Sequence, residues 1–195
     1  MKSNFTLINF SLILFLLLFV SNCVSNQNSQ NQNKEEQAPV VTDADAQLKI
    51  NTEKKLTELA NTLKDKKLEP KEMYGILKNF IEQNPDILAS AFAFAPTEKD
   101  GKIIKTSPYI YRNEGKILEK DLIDFYDYTS PNQKWYTETV KSGAPMWSEP
   151  YYDDGGAGAD ILMTTYSIPL YSSDTDKLFI GVLTADLLIS KKNKQ

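Results

Sequence analysis

The chain has 195 residues, of which 41% are hydrophobic and 11% aromatic, enough for one folded domain of ordinary size. Its 22 basic and 26 acidic residues give a net charge of -4 and form no basic block, so we expect no nucleic-acid partner. Histidine is absent and Cys23 is the single cysteine, which excludes histidine-based catalysis, histidine-based metal sites and an internal disulfide.

The first 22 residues have the pattern of a secretory signal. Lys2 is followed by an apolar run from Ile8 to Val20 that polar residues interrupt twice. This run is short for a membrane-spanning helix, which needs about 20 apolar residues. It ends in VSNC, which resembles a bacterial lipobox, where the cysteine becomes the diacylated first residue. We therefore predict a lipoprotein-type signal peptide over residues 1–22 and lipidation of Cys23.

The segment after the cysteine is polar. Residues 24–42 are rich in Asn, Gln and Ser and contain almost nothing apolar before Val40, which is typical of a flexible tether. The prediction is a lipidated cysteine with its tether over residues 23–42 and a folded domain over residues 43–195. The domain is expected outside the cytoplasm, anchored by lipid to a bacterial membrane. The sequence leaves open whether this is the inner or the outer membrane.

Two helices are predicted at the start of the domain. From Asp43 to Leu68 the apolar residues fall near a helical period, which predicts a long amphipathic helix. Glu69-Pro70 interrupts the pattern, and Pro70 suits the first turn of a second helix that ends before Asn84-Pro85.

Strands dominate the rest of the chain. Ile87–Ala95 reads as a buried strand followed by the turn-like PTEKDGK, and Ser107–Arg112 as a strand that turns at residues 113–115 into Lys116–Leu118. Short helices are predicted over Glu119–Phe125 and Trp135–Lys141. Three further strands are predicted over Met146–Tyr152, Asp160–Tyr171 and Leu178–Ile189, with turn-rich loops between them. The sum is an α+β domain with a mostly antiparallel sheet.

Residues 135–154, WYTETVKSGAPMWSEPYYDD, contain both tryptophans, three tyrosines and two adjacent aspartates. Aromatic rings and carboxylates at close range can form a box for a cation. The same residues can equally form a core with polar edges.

The order of motifs resembles the Cache superfamily, the extracytoplasmic PAS-like sensor domains of chemoreceptors and histidine kinases. These motifs are WY, then W-x-x-PY-x-D, then a TYS-x-P strand and a GV-x-x-x-D strand. The resemblance covers roughly residues 43–190. It implies a PAS-like fold with a long N-terminal helix and a central antiparallel sheet flanked by short helices.

The resemblance also implies a set of ligand-binding residues, because amino-acid-sensing relatives surround their ligand with a similar pattern. Matched position by position, the set is Tyr128, Gln133, Trp135, Tyr136, Tyr151, Asp153 and Asp186. Gln133 stands where those relatives have an arginine. Since neutral Gln cannot clamp a carboxylate with two charge-assisted bonds, we expect an amine or a neutral polar solute rather than a standard amino acid.

No enzyme activity, cofactor or metal is expected. The run DDGGAGAD lacks the alternating oxygen ligands of a calcium loop. Arg112, the single arginine, suits a buried salt bridge or a ligand anion, and a structural pairing is favoured.

The resemblance leaves the biological role open. Many relatives continue into a second module and a signalling domain, so two sensor-type roles are open for this domain: presenting its ligand to a separate membrane receptor, or scavenging or buffering a solute at the cell surface. The alternative is a structural, adhesion or partner-binding lipoprotein without a small-molecule ligand. Relatives pair through the first helix, so Asp43–Leu68 is the expected contact of a homodimer.

Overall fold

The computed structural model describes residues 43–153, 155–158 and 160–191. The predicted signal peptide over residues 1–22, the lipidation site Cys23 and the tether over residues 23–42 lie outside the described residues. Among the residues that the structure describes, none of the helices combines the length and the apolar composition that a membrane span requires.

Three α-helices are present among the described residues: α1 (Asp43–Leu63), α2 (Pro70–Gln83) and α3 (Lys134–Ser142). Pro70 lies in the first turn of α2, where its missing N–H costs no helix hydrogen bond. Gly143 ends α3 in a left-handed conformation with φ of 65°, and its N–H donates to the Thr139 carbonyl at 3.0 Å.

The strands are β1 (Ala89–Phe94), β2 (Thr97–Lys99), β3 (Lys102–Ile104), β4 (Pro108–Asn113), β5 (Lys116–Asp121), β6 (Met146–Trp147), β7 (Tyr151–Tyr152), β8 (Ile161–Tyr171) and β9 (Phe179–Lys191). The main sheet runs in the order β5-β4-β1-β9-β8-β6, and β7 also pairs with β8. All of these pairings are antiparallel. The predicted α+β architecture with a mostly antiparallel sheet is therefore confirmed.

The sheet separates two hydrophobic clusters. On one face, Leu183 and Leu187 of β9 pack with helix residues that include Leu56 of α1 and Leu77 of α2. The alternate positions of β9 point to the other face, where α3 and the loops cover the sheet. The residues of the second cluster include Ala89, Ala91, Tyr109, Trp135, Tyr136 and Val182. The candidate site lies on this second face.

The predicted hairpin turn between β4 and β5 is confirmed. Glu114 and Gly115 both have positive φ, of 49° and 77°, and they connect the paired residues Asn113 and Lys116. Two successive positive φ values match the right-handed twist of the strands, and glycine adopts them without steric cost. The turn-like PTEKDGK run contains a further small hairpin, β2-β3.

The structure corrects three predicted elements. The first helix ends at Leu63 rather than Leu68, because residues 64–67 are charged and contribute no side chain to the core. The prediction of a helix over Glu119–Phe125 is wrong. Strand β5 continues to Asp121, and only a short 3-10 helix follows, over Leu122–Asp124. The strand predicted over Met146–Tyr152 is broken into β6 and β7 around Pro150, which has no N–H for a ladder.

Candidate functional site

Asp186 lies at the centre of the candidate site, on the face of the sheet that α3 covers. Its side chain is 3% exposed. The Thr165 hydroxyl on β8 donates to one carboxylate oxygen at 2.8 Å, and the Tyr109 hydroxyl on β4 donates to the other at 3.3 Å. Thr165 is the register partner of Asp186, and the alanines of β1 let the long Tyr109 side chain reach across from β4.

Tyr151 joins this group from β7. Its hydroxyl and the Thr165 hydroxyl are 2.8 Å apart. Because Thr165 gives its one hydroxyl hydrogen to Asp186, the Tyr151 hydroxyl is the donor in this pair. A hydrogen-bond chain therefore runs from Tyr151 through Thr165 to the buried carboxylate of Asp186.

Asp153, just after β7, is the second buried carboxylate and is 2% exposed. It accepts backbone N–H groups from Gly156 at 3.0 Å, from Gly158 at 3.4 Å and from Ala157. Such successive N–H groups form a concave anion site in the backbone. A Cβ at position 156 would lie 2.3 Å from a carboxylate oxygen of Asp153, so the close approach requires glycine there.

Burial sets the electrostatics of the site. It raises the pKa of Asp186 from 3.8 to about 7, against the opposing hydrogen bond from Thr165, and the neighbouring Asp153 adds to the increase. Burial also raises the pKa of Asp153, while the N–H bonds from the 156–158 backbone and the charge of Lys120 lower it. Among the described residues, no lysine or arginine forms an ion pair with either aspartate. The site therefore favours a positively charged or uncharged group over an anion.

A cavity of about 410 Å³ opens beside this group. Its lining residues are Asn132, Gln133, Lys134, Trp135, Glu138, Ser148, Glu149, Pro150 and Tyr151. The Trp135 indole donates to the Gln133 side-chain oxygen at 3.1 Å. The lining includes Tyr151 but neither of the two buried aspartates, and Tyr151 connects the cavity with Asp186 through the Thr165 hydroxyl. A second cavity of about 530 Å³ lies between α1 and α2 and contains none of the predicted site residues.

Tyr128 and Tyr136 form an aromatic layer next to the site. Their ring centroids are 5.0 Å apart in an edge-on arrangement, and Tyr136 is also edge-on to Trp135. The Tyr128 hydroxyl donates to the Phe94 carbonyl at 2.7 Å. Burial raises the pKa of Tyr136 to about 12, and Asp127 adds to the increase. Neither tyrosine forms a hydrogen bond with Asp153 or Asp186.

The structure thus distributes the seven predicted site residues over three neighbouring groups. Tyr151, Asp153 and Asp186 come together at the buried carboxylates. Gln133 and Trp135 lie in the cavity wall, and Tyr128 and Tyr136 lie in the aromatic layer.

A family comparison identifies the domain. The profile of the methyl-accepting chemotaxis protein-like first PDC sensor domain matches residues 73–192. The chain belongs to this family of sensor domains. The resemblance to the Cache superfamily drawn from the motifs is confirmed, because PDC sensor domains are Cache-type domains.

Solved structures share the fold of this PDC sensor domain. The extracellular domain of a protein described as a histidine kinase, soHK1S-Z6, is 28% identical, with a TM-score of 0.62; the match covers 73% of this chain and 54% of that chain. The extracellular domain of mmHK1S-Z3 is 21% identical, with a TM-score of 0.56 and coverage of 76% and 54%. A structure named methyl-accepting chemotaxis protein X is 22% identical, with a TM-score of 0.52 and coverage of 74% and 61%. The chain therefore spans about half the length of these relatives. No curated protein matches it.

Several residues that the structure places at the candidate site were missed from the sequence: Tyr109, Lys120, Tyr126 and Thr165. Burial raises the pKa of Tyr126 strongly, and the charges of Asp153 and Asp186 add to the increase. Tyr109 is 77 positions from Asp186 in the chain, and only the strand order brings the two together. Thr165 was predictable, because it begins the TYS motif of a predicted strand and alternate residues of a strand lie on one face of the sheet.

The structure also assigns Arg112. Its guanidinium donates to the backbone carbonyls of Ile87, at 3.2 Å, and of Ile81. These contacts are structural, as favoured from the sequence, but the partners are carbonyls at the end of α2 and beyond it rather than a carboxylate. Among the described residues, no group of three or more Cys, Asp or Glu residues is placed to hold a metal ion.

Proposed function

We propose that this chain is a lipid-anchored, extracytoplasmic sensor domain that binds a small amine or a neutral polar solute. The observation that carries the proposal is Asp186, a buried carboxylate at the end of the hydrogen-bond chain from Tyr151 through Thr165 in the candidate site. Its hydrogen-bond partners are the neutral hydroxyls of Thr165 and Tyr109. A ligand ammonium group would supply the opposite charge that a buried carboxylate needs.

The cavity supports an amine over an amino acid. Glu138 and Glu149 stand among its lining residues against one lysine, Lys134. Trp135 contributes an aromatic ring to the cavity lining, and ring faces attract cations. Gln133 contributes a neutral amide where a carboxylate-binding relative would have an arginine. These lining residues can bind a cation or a polar neutral group, but they include no arginine guanidinium to bind a carboxylate with two parallel hydrogen bonds.

The proposed location rests on the relatives and on the N-terminal sequence. The structures soHK1S-Z6 and mmHK1S-Z3 are extracellular domains. Residues 1–22 have the pattern of a secretory signal that ends at Cys23, and two acyl chains on that cysteine would hold the protein stably at a bilayer surface. We propose that the domain presents its bound solute to a separate membrane receptor.

Lipidation is tested by growing cells with an alkyne-labelled palmitate and comparing the wild type with Cys23→Ser. The proposal predicts label on the wild type, none on the variant, and release of the variant from the membrane fraction. Equal labelling of both proteins would contradict the assignment of Cys23.

Ligand class is tested by a thermal-shift screen of amines, amino acids, organic acids and neutral amides. A ligand at 100 times its dissociation constant stabilises the native state by about 2.7 kcal/mol. We expect amines such as ethanolamine, putrescine or n-butylamine to raise the melting temperature of the wild type but not of Asp186→Asn. Gln133→Arg is expected to extend binding to amino acids, whereas Gln83→Arg, which adds the same charge outside the cavity, is not.

The alternative role, a structural, adhesion or partner-binding lipoprotein, predicts a folded domain with no hit in the whole screen. A hit with organic acids alone would contradict the proposed ligand class but not the sensor role.

A further inference from the structure

Lys120 lies on the edge strand β5, opposite Tyr109 of β4. Its ammonium group donates to the backbone carbonyl of Gly155 at 2.7 Å and to the carbonyl of Gly156. Lys116, Leu118 and Glu119 on the same strand are exposed, so Lys120 is distinguished by turning its charged end inward.

Three aromatic rings surround the Lys120 ammonium. The distances from its nitrogen to the ring centroids are 4.2 Å for Phe125, 4.6 Å for Tyr111 and 5.9 Å for Tyr109. Burial lowers the pKa of Lys120, and the charge of Asp153 opposes that decrease. Rings and carbonyls are the groups expected of a cation box. This box is filled by a lysine of the chain itself.

Lys120 and Asp153 both bind the backbone of residues 155–158, Lys120 through carbonyl groups and Asp153 through N–H groups. Asp153 accepts the N–H groups of residues 156–158, and Lys120 donates to the carbonyls of residues 155 and 156. Gly156 is contacted from both sides. The carboxylate of Asp153 is thus engaged by the backbone before any ligand arrives.

Lys120 also reaches Asp186 through one intermediate residue. The Tyr109 ring stacks on Tyr111 with centroids 5.5 Å apart, and the Lys120 ammonium lies over both rings. The Tyr109 hydroxyl then donates to Asp186. One lysine therefore connects the glycine segment with the tyrosine that orients the buried carboxylate.

We propose that Lys120 is a positioning residue of the binding site, which clamps residues 155–158 together with Asp153 and holds Tyr109 against Asp186. This inference rests on the proposed binding function. It gives the two aspartates different roles: Asp153 fixes the shape of the pocket, and Asp186 takes the ammonium group of the ligand. Lys120 itself does not contact the ligand.

The clamp is tested first without any ligand, by amide hydrogen exchange on the full chain purified in detergent micelles. Lys120→Met keeps an aliphatic stem against Tyr111 and Phe125 but removes the donors. We expect exchange of the Gly156 and Ala157 amides to become at least about fivefold faster, because the carbonyl side of the segment is released. Lys120→Arg restores donors and is expected to restore protection. Lys116→Met is the matched control on the exposed part of β5.

Unchanged exchange at residues 156–157 in Lys120→Met would overturn the clamp. So would an equal increase in Lys116→Met, since that would reflect a general loosening of β5. The comparison with Lys120→Arg separates a loss of the donors from a failure to fold.

The second readout is calorimetric titration of the same proteins with ethanolamine, putrescine and n-butylamine. We expect the dissociation constant to rise about tenfold in Lys120→Met, to stay within about threefold of the wild type in Lys120→Arg, and to be unchanged in Lys116→Met. Asp153→Asn is expected to weaken binding, whereas Asp186→Asn abolishes it. Equal loss of binding in the two aspartate variants would overturn the division of roles.

If none of the three amines binds the wild type, the proposed function fails in its ligand class. The exchange measurement then still decides whether Lys120 and Asp153 clamp the glycine segment. Normal amine binding by Lys120→Met would instead leave the proposed function intact and remove Lys120 from the site.

Discussion

Asp186 couples the stability of the domain to pH. Its pKa is about 7 in the folded protein, because burial disfavours the charged form, against 3.8 for an ordinary aspartate. Between these two values the folded state holds a proton that the unfolded chain has lost. The free energy of unfolding therefore falls as pH rises from about 4 to about 7. Above pH 7 the ionised and buried Asp186 destabilises the folded state by the full amount, which is on the order of 4 kcal/mol for this pKa difference.

Asp186→Asn removes this charge while keeping a group that can accept from Thr165. We expect the variant to gain stability relative to the wild type as pH rises, with little difference at pH 4 and the largest gain at pH 8. Urea unfolding at pH 4, 6 and 8 measures the difference. A stability difference that does not change with pH would show that Asp186 titrates as an ordinary carboxylate in the folded domain.

At the level of single residues, motif order predicted correctly that some distant residues lie close together. Tyr151, Asp153 and Asp186 were placed together and the structure brings them together. Tyr109 and Lys120 were missed, because they reach the site only through the pairing of β4 with β1 and of β5 with β4. No local pattern encodes that pairing. The hydrogen bond from the Gly156 N–H to Asp153 joins residues only three positions apart. An aspartate before a glycine run is typical of such a turn, so this contact was predictable from the sequence.

At the level of elements, helix α1 is joined to the strand that leads into the cavity wall. The Trp147 indole of β6 donates to the Glu53 carboxylate at 2.7 Å, and the Lys49 ammonium lies 4.9 Å from the Trp147 ring. The chain continues from Trp147 through Ser148 to Pro150 along the cavity. The position of α1 is thus tied to the position of the cavity wall.

The pair between Glu53 and Trp147 is expected to contribute about 1 kcal/mol, since a hydrogen bond to a charged group is stronger than a neutral one but this pair is half-exposed. We predict that Glu53→Ala and Trp147→Phe each destabilise the domain. The double variant should lose less than the sum of the two, because both changes remove the same bond. Chemical denaturation of the four proteins gives the coupling, and strictly additive losses would show that the contact contributes nothing.

The errors at the level of elements have two kinds of cause. Helix α1 ends at Leu63 because the KDKK run that follows offers no apolar face, and this run is visible in the sequence. Strand β5 continues to Asp121 because Pro108 of β4 pairs with it, which only the register reveals. The break between β6 and β7 follows from Pro150, whose effect on a ladder was predictable. The local sequence therefore explains the helix end at Leu63 and the strand break at Pro150. It does not explain the extension of β5, which depends on pairing with β4.

For the molecule as a whole, the described sheet separates the face that α1 and α2 cover from the face of α3 and the candidate site. The first face carries α1, the helix predicted to pair in a homodimer. On the described part of α1, Ile50 is the large apolar side chain that stays exposed, at 57%. One apolar residue among polar neighbours supports a weak contact rather than an obligate one.

We therefore predict a reversible dimer that forms at high protein concentration and that Ile50→Glu weakens at least about tenfold. Sedimentation velocity over a concentration series of the full chain in detergent measures the equilibrium. A chain that stays strictly monomeric at the highest concentration, or a dimer indifferent to Ile50→Glu, would contradict pairing through α1.

Amine binding at Asp186 is tested by calorimetric titration of the wild type with the best amine at pH 6 and at pH 8. The cation binds the ionised carboxylate, which a group with a pKa of about 7 populates about ten times more at pH 8. We expect binding about tenfold tighter at pH 8, release of a proton on binding at pH 6, and no binding to Asp186→Asn. Amine binding that is equal at both pH values and survives in Asp186→Asn would contradict it.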